Sequence, residues 1–440
     1  MRTFSSLAFW LAAALVGRTL AVPVVVTPGN VHNLIITSEN TINGTSSPIR
    51  LVGSVGGEPA PPTTQATQQL KISFLNHLAG GAVNAYVTGL DPNNQVVLLQ
   101  PNGQWFYPST GSSVPQPITT NVALPVGAQG STTTITLPSF ISSGRIWFAQ
   151  GNLQFFVVTT PNGVGLVEPS ALNPSDPSAG INWGFVELTN GAGGIYVNIS
   201  YVDFVGLPLG ITLTSSDGVQ TAKGIQANAV ASICADLKTQ AAADGQPWNQ
   251  LCMTTSNGTP LRVVSPGDWI SVTPNAFSTY WTNYVNQVWN TYTAQTLTIN
   301  TQTGSGEVAC KVSGGLLQCA GDNRGYAKPT AGDIFGCNSG PFSIQAGDNG
   351  VHLAVVPRLC AAFDRSTLLI SGGNVQPGVS STSYYTVSPT NHFSRIVHKY
   401  EVDGKGYAFP YDDVNPSGEN QSGLLADANP QLLTVTVGGP

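Results

Sequence analysis

Of the 440 residues only 22 are Asp or Glu and 16 are Lys or Arg, far below the share in an average soluble domain. A carboxylate inside an apolar run is therefore informative here. Two stand close in sequence. In INWGFVELTN, Trp183, Phe185 and Glu187 alternate onto one strand face. In IYVNISYVDFVGLPLG, Val197, Ile199, Tyr201 and Asp203 do the same, with Asn198 on the opposite face. A carboxyl at the end of an apolar face loses hydration, which raises its pKa toward that of a general acid. The plainer reading, a solvated or ion-paired strand end, weakens where so few cations are on hand. Geometry is the obstacle. A flat hairpin across NGAGG would set Glu187 opposite about Val197 and leave Asp203 roughly 20 Å further along the strand. The acids cooperate only if coiling, a bulge or a shifted register brings them together, which Gly191, Gly193 and Gly194 permit.

Other common chemistries find no motif. There is no HExxH, no GxSxG, no P-loop and no Rossmann glycine pattern. His32, His77, His352, His392 and His398 make no standard metal pair, and the last two fall in a strand-like run. Ser216-Asp217-Gly218 reads as a turn. No metal and no organic cofactor is expected. The formal charge of −6 and a pI near 5.3 argue against nucleic acid or an anionic membrane as partner.

The elements that must position such acids read as mainly β. Met1-Arg2, the apolar run Leu7 to Val16 and Thr19-Leu20-Ala21 form a signal peptide over 1–21, too short to span a bilayer. They predict a secreted chain, extracellular or in a cell wall, with no membrane attachment in its mature form. Sequons at Asn43, Asn198, Asn257 and Asn420 suit that route as glycosylation sites. Residues 22–67 read as an N-terminal segment, pro-region or linker, with VPVVV and NLIIT as a possible extra strand. Short β runs then recur over 68–215, as in a sandwich or barrel. Over 216–345 the texture changes to an inserted α/β lobe, and strands are expected again over 346–440 (VHLAVVP, SRIVHKYEV, GYAFPY and LLTVTV), with a hairpin at Asp403-Gly404.

Within the lobe, the stripe Phe277, Tyr280, Trp281, Tyr284, Val285, Val288, Trp289 and Tyr292 predicts a helix face packed on the core, started by Thr273-Pro274. An even count of six cysteines in an exported chain favours three disulfides. Sequential pairing of Cys234 with Cys252, Cys310 with Cys319 and Cys337 with Cys360 is the simplest of fifteen connectivities.

The stretch GFVELTNGAGGIYVNISYVDFVGLPLGI, with IFGCNSGPF, VVPRLCAAFDRSTLL and GYAFPYDDVNPSG, resembles glycoside hydrolase family 64, the thaumatin-like endo-β-1,3-glucanases that often produce laminaripentaose. The similarity runs from about residue 68 to the C-terminus. It implies a thaumatin-like β-sandwich or barrel body, an inserted disulfide-bearing α/β lobe and a wide groove between them. It further implies a monomer acting on β-1,3-glucan, with Glu187 as general acid and Asp203 as general base of an inverting reaction. Such a pair is held roughly 6.5–9.5 Å apart to admit a water, against about 5 Å in a retaining pair. Thr189 and Tyr196 become candidate sugar contacts, although a strand threonine and a surface tyrosine are equally ordinary. Asp412 and Asp413 match an acidic pair near the family's groove, against a turn or cap role, and Asp333 is a weaker candidate on the lobe side. The alternative is a non-catalytic thaumatin-like glucan-binding or defence protein that keeps the groove without turnover.

Overall fold

The structure, a computed structural model, describes residues 24–25, 41–43 and 69–440. The signal peptide, NLIIT and most of the N-terminal segment lie outside the described residues. The fold is mainly β. Its largest sheet has eight strands, four of which matter for the site: β1 (Val83–Leu90), β2 (Ile141–Gln150), β3 (Asn182–Gly191) and β4 (Gly194–Ile199). They lie in the order β4-β3-β2-β1, all antiparallel.

The central strand β2 is apolar on both faces, as expected of a strand covered on two sides. Ile146 and Phe148 point one way, Trp147 and Ala149 the other, and all four are buried. Phe148 meets Phe74 edge-on at 5.0 Å. Phe74 belongs to Lys71–Asn76, a strand of a five-stranded sheet in which the C-terminal strand Pro430–Val437 pairs parallel with it. The opposite face carries an aromatic cluster of Trp147, Trp183, Phe185 and Phe204, with ring centroids 4.4–5.7 Å apart. Burying rings of this size supplies a large share of core stability.

The β3–β4 hairpin closes at Gly191 and Gly194. Gly194 has φ of 110°, and a Cβ there would lie 2.2 Å from the Asp427 carbonyl, so the turn requires glycine. Two N-terminal fragments join sheets: Val24–Val25 pairs parallel with Met253 and Thr254, and Thr41–Asn43 pairs with Gly165–Val167.

All three disulfides pair as expected in sequence order. The aromatic stripe is a core face: helix Thr282–Ala294 buries Tyr284, Val285, Val288, Trp289 and Tyr292. Its start differs. Thr273 instead caps the C-terminal end of helix Pro266–Val272, and Thr282 opens the next helix.

VHLAVVP and SRIVHKYEV are not strands but parts of helices Gly350–Asp364 and His392–Tyr400. The first is apolar on nearly every side and buried, so it shows no helical period. The second packs against helix Ala229–Asp244 and buries Phe393, Ile396 and Val397. Asp403-Gly404 makes no hairpin, and GYAFPY contributes only a bridge from Tyr407 to Ser200. Among the described residues no helix is long and apolar enough to cross a membrane.

Candidate functional site

Glu187 sits in the middle of β3, where its backbone neighbours are Arg145 of β2 and Asn198 of β4. The register is thus one residue from the flat-hairpin expectation, and partners across a ladder project to the same side. Asn198 therefore shares the face of Glu187 rather than the opposite one. Its side-chain amide donates to Glu187 Oε2 at 3.2 Å, and the residue is 2% exposed. This overturns Asn198 as a glycosylation site, because its nitrogen is buried and already engaged. Asn257 and Asn420 are exposed.

Strand alternation does not place Asp203. Strand β4 ends at Ile199, and after the Ser200 bridge to Tyr407 the chain bends away through residues 202–203. It then pairs Phe204 and Val205 with Val264 and Val263, while the Asp203 carbonyl accepts from the Ser265 amide at 2.8 Å. That bend brings Asp203 back to the sheet face bearing Glu187.

Arg145 marks where they meet. One of its terminal nitrogens lies 3.5 Å from Glu187 Oε1 and 3.8 Å from Asp203 Oδ2. Those two oxygens are then no more than about 7.3 Å apart, the sum of the two contacts. The 20 Å separation of a flat hairpin does not occur. The other terminal nitrogen makes a 2.7 Å ion pair with Glu168 Oε2, and Glu168 Oε1 accepts from the Thr88 hydroxyl at 2.8 Å. Burial would lower the pKa of Arg145, but the charges of Glu168, Glu187 and Asp203 outweigh it and hold the guanidinium protonated. For Glu168, burial pushes the carboxyl up against the pull of Arg145 and Thr88.

The accessible surface is graded. The Glu168 side chain is 0% exposed, Glu187 13% and Asp203 27%. Asp203 and Arg145 line a cleft of about 570 Å³, floored by Trp147, Trp183 and Phe185 and walled by residues 169–173 and by Asp268 and Ser271. Trp183 is core more than surface at 1% exposure. The arrangement offers one acid well enclosed, a second more open to water, and a fixed positive charge between them. That is a layout for acid–base work on a bound neutral molecule.

Thr189 and Tyr196 are opposite each other across β3 and β4, half-buried, on the face of Glu187 and Asn198. The remaining candidates are corrected. Asp412 is 0% exposed, and its carboxylate is used up by Arg365 at 2.8 Å, His398 at 2.9 Å and the Ala408 amide at 2.8 Å. Both carboxyl oxygens of Asp413 are shut from solvent; burial and the charge of Asp412 push its pKa up to about 7, with the Tyr407 hydroxyl pulling the other way. In this structure the carboxylates of both acids are closed to solvent. Asp333 is the third residue of helix Ala331–Gly336 and closes a capping box with Thr330. Its second oxygen accepts from Ser339 at 2.6 Å, so it is a structural cap.

Sequence reasoning passed over Arg145 and Glu168. The signal was present: each is a lone charge beside an apolar strand, in RIWFAQ and in VEPS, within a chain where charge is scarce.

Residues 68–437 match the family described as β-1,3-glucanase. A glucan endo-1,3-β-glucosidase from Cellulosimicrobium cellulans is 27% identical over 309 residues, covering 69% of this chain, and one from an Arthrobacter species aligns equally well. The chain spans about half the length of these curated relatives, 53% in each case. The crystal structure of a laminaripentaose-producing β-1,3-glucanase in complex with laminaritetraose superposes with a TM-score of 0.74 at 27% identity, covering 84% of this chain and 99% of that one. A family 64 domain from Clostridium beijerinckii shares the fold, with a TM-score of 0.64 at 21% identity over 85% of this chain and 100% of that one. With a match over most of its length, the chain belongs to glycoside hydrolase family 64, the β-1,3-glucanases.

Proposed function

We propose that this protein is a secreted endo-β-1,3-glucanase that inverts the anomeric centre, with Glu187 as general acid and Asp203 as general base. The observation that carries the reading is the convergence of the two acids on one nitrogen of Arg145. An upper bound of about 7.3 Å between their oxygens admits the lower part of the roughly 6.5–9.5 Å range that leaves room for a water. Glu187 is the more enclosed of the two, as suits the group that must hold a proton for the glycosidic oxygen. Asp203, more open, faces the cleft from which a water is drawn. In the reaction Glu187 protonates the leaving oxygen as Asp203 takes a proton from water attacking the opposite sugar face. The body would be thaumatin-like, acting as a monomer, with Thr189 and Tyr196 contacting sugar hydroxyls beside the acid and glycans at the exposed Asn257 and Asn420.

Release of reducing ends from laminarin tests this, with Glu187→Gln and Asp203→Asn as controls. The reading requires turnover by the wild type and its loss in both variants. An inert wild type that still pulls down curdlan would support a glucan-binding protein instead.

A further inference from the structure

The Glu168 side chain has no solvent-open surface, yet the site is arranged around it. It follows directly on strand Gly163–Val167, is wholly buried, and has both oxygens occupied. Behind it the chain of contacts continues inward: the Trp147 indole donates to Thr88 at 3.0 Å, and Thr88 donates to Glu168. In front of it Arg145 is held flat, its guanidinium carbon 4.6 Å from the Phe185 ring centroid and 5.6 Å from that of Trp147. The tight half of Arg145 is thus spent on Glu168, at 2.7 Å. The loose half, at 3.5 and 3.8 Å, is left to Glu187 and Asp203.

We infer that Glu168 and Arg145 are positioning residues that set the charge felt by the acid pair, Arg145 fixing the two carboxyls in place and Glu168 cancelling most of its positive charge. This rests on the reading of Glu187 and Asp203 as acid and base. The physical reason is the conflict within that pair. A bare guanidinium beside both acids favours their ionised forms, which suits Asp203 and deprives Glu187 of the proton it must donate. A buried counter-charge on the far side of Arg145 removes that conflict while keeping the fork that orients both groups. The charged and titratable groups around the fork are Glu168, Glu187 and Asp203, with Asp268 on the cleft wall from helix Pro266–Val272.

Glu168→Gln leaves Arg145 uncompensated, so its charge favours the ionised forms of both acids more strongly. Activity needs Asp203 ionised and Glu187 protonated, so both limbs of the kcat/KM–pH profile move to lower pH, by about half a unit or more. Thr88→Val, which takes only one hydrogen bond from Glu168, moves them the same way by less and keeps the test open if Glu168→Gln does not fold. Arg145→Met moves the limbs to higher pH and lowers kcat at least about tenfold; Arg145→Lys restores part of the limb position because it restores the charge. Limbs that stay in place in folded Glu168→Gln and Thr88→Val proteins, with only a uniform loss of kcat, overturn the inference and leave Glu168 a structural ion pair. A wild type inert on laminarin would instead overturn the underlying assignment of Glu187 and Asp203.

Discussion

Among the described residues, two clusters that combine Arg, Asp and Glu are built differently. Around Asp412 every contact is short and both acids are closed to solvent: Asp412 lies 2.8 Å from Arg365 and 2.9 Å from His398, and His398 is also 2.7 Å from Glu401. Around Arg145 only the bond to Glu168 is short, while Glu187 and Asp203 stand 3.5 and 3.8 Å away and keep part of their surface in solvent. Asp412 has spent both of its oxygens on the fold. Glu187 and Asp203 meet Arg145 only at longer range and stay partly open to another molecule. Residue type does not separate a structural acid from a chemical one; saturation and exposure do.

The sharpest way to break the comparison is to neutralise one acid in each cluster. Glu187→Gln and Asp203→Asn are expected to cut turnover of laminarin by about 10²–10⁴-fold with little change in melting temperature. Asp412→Ala should do the reverse: about 3–5 kcal/mol less stable in denaturant unfolding, because buried Arg365 loses its carboxylate partner and His398 one of its two. The fraction that remains folded should keep its turnover. Loss of catalysis in a well-folded Asp412→Ala protein would return that acid to the groove.

A smaller effect concerns pH. Burial disfavours the charged form of His398, but Glu401 and Asp412 overcome it and raise its pKa from 6.5 to about 10. A raised folded pKa gives stability that is whole below 6.5 and is lost as the pH climbs through about 10. Unfolding free energy should therefore fall from pH 6 to pH 9, and His398→Gln should flatten that slope; an unchanged slope would show that His398 is not held protonated.

The smallest expected effect separates the regions by their staples. All three disulfides lie between Cys234 and Cys360, so mild reduction should release amide protection in that region before it does in β2 and β3. Simultaneous loss by hydrogen exchange would contradict this.

Much of the β architecture was legible because strand alternation reports which face is buried. Glu187 was found that way, as a lone acid on an apolar face. Asp203 was singled out too, but its place was not predictable by parity, since the chain leaves the sheet at Ser200 and a tertiary bend returns it. Helix Gly350–Asp364 hid behind Val, Ile-like apolarity and an internal Pro357, features that mimic a buried strand when the helix is apolar all round. Helix His392–Tyr400 carried readable signals, an Asn391 cap and apolar residues at 393, 396 and 397, which its β-branched Ile396 and Val397 outweighed. The acids Asp412, Asp413 and Asp333 looked like site candidates because sequence shows which residues are charged and not which are already satisfied.

The proposed mechanism has Glu187 and Asp203 act on one glycosidic bond in a single displacement. Proton NMR of a laminari-oligosaccharide at early times of hydrolysis reads the configuration of the new reducing end directly. With the wild type the α-anomer should appear first, and neither Glu187→Gln nor Asp203→Asn should form product on that timescale. A β-anomer appearing first, or product formed at the wild-type rate by either variant, would contradict it.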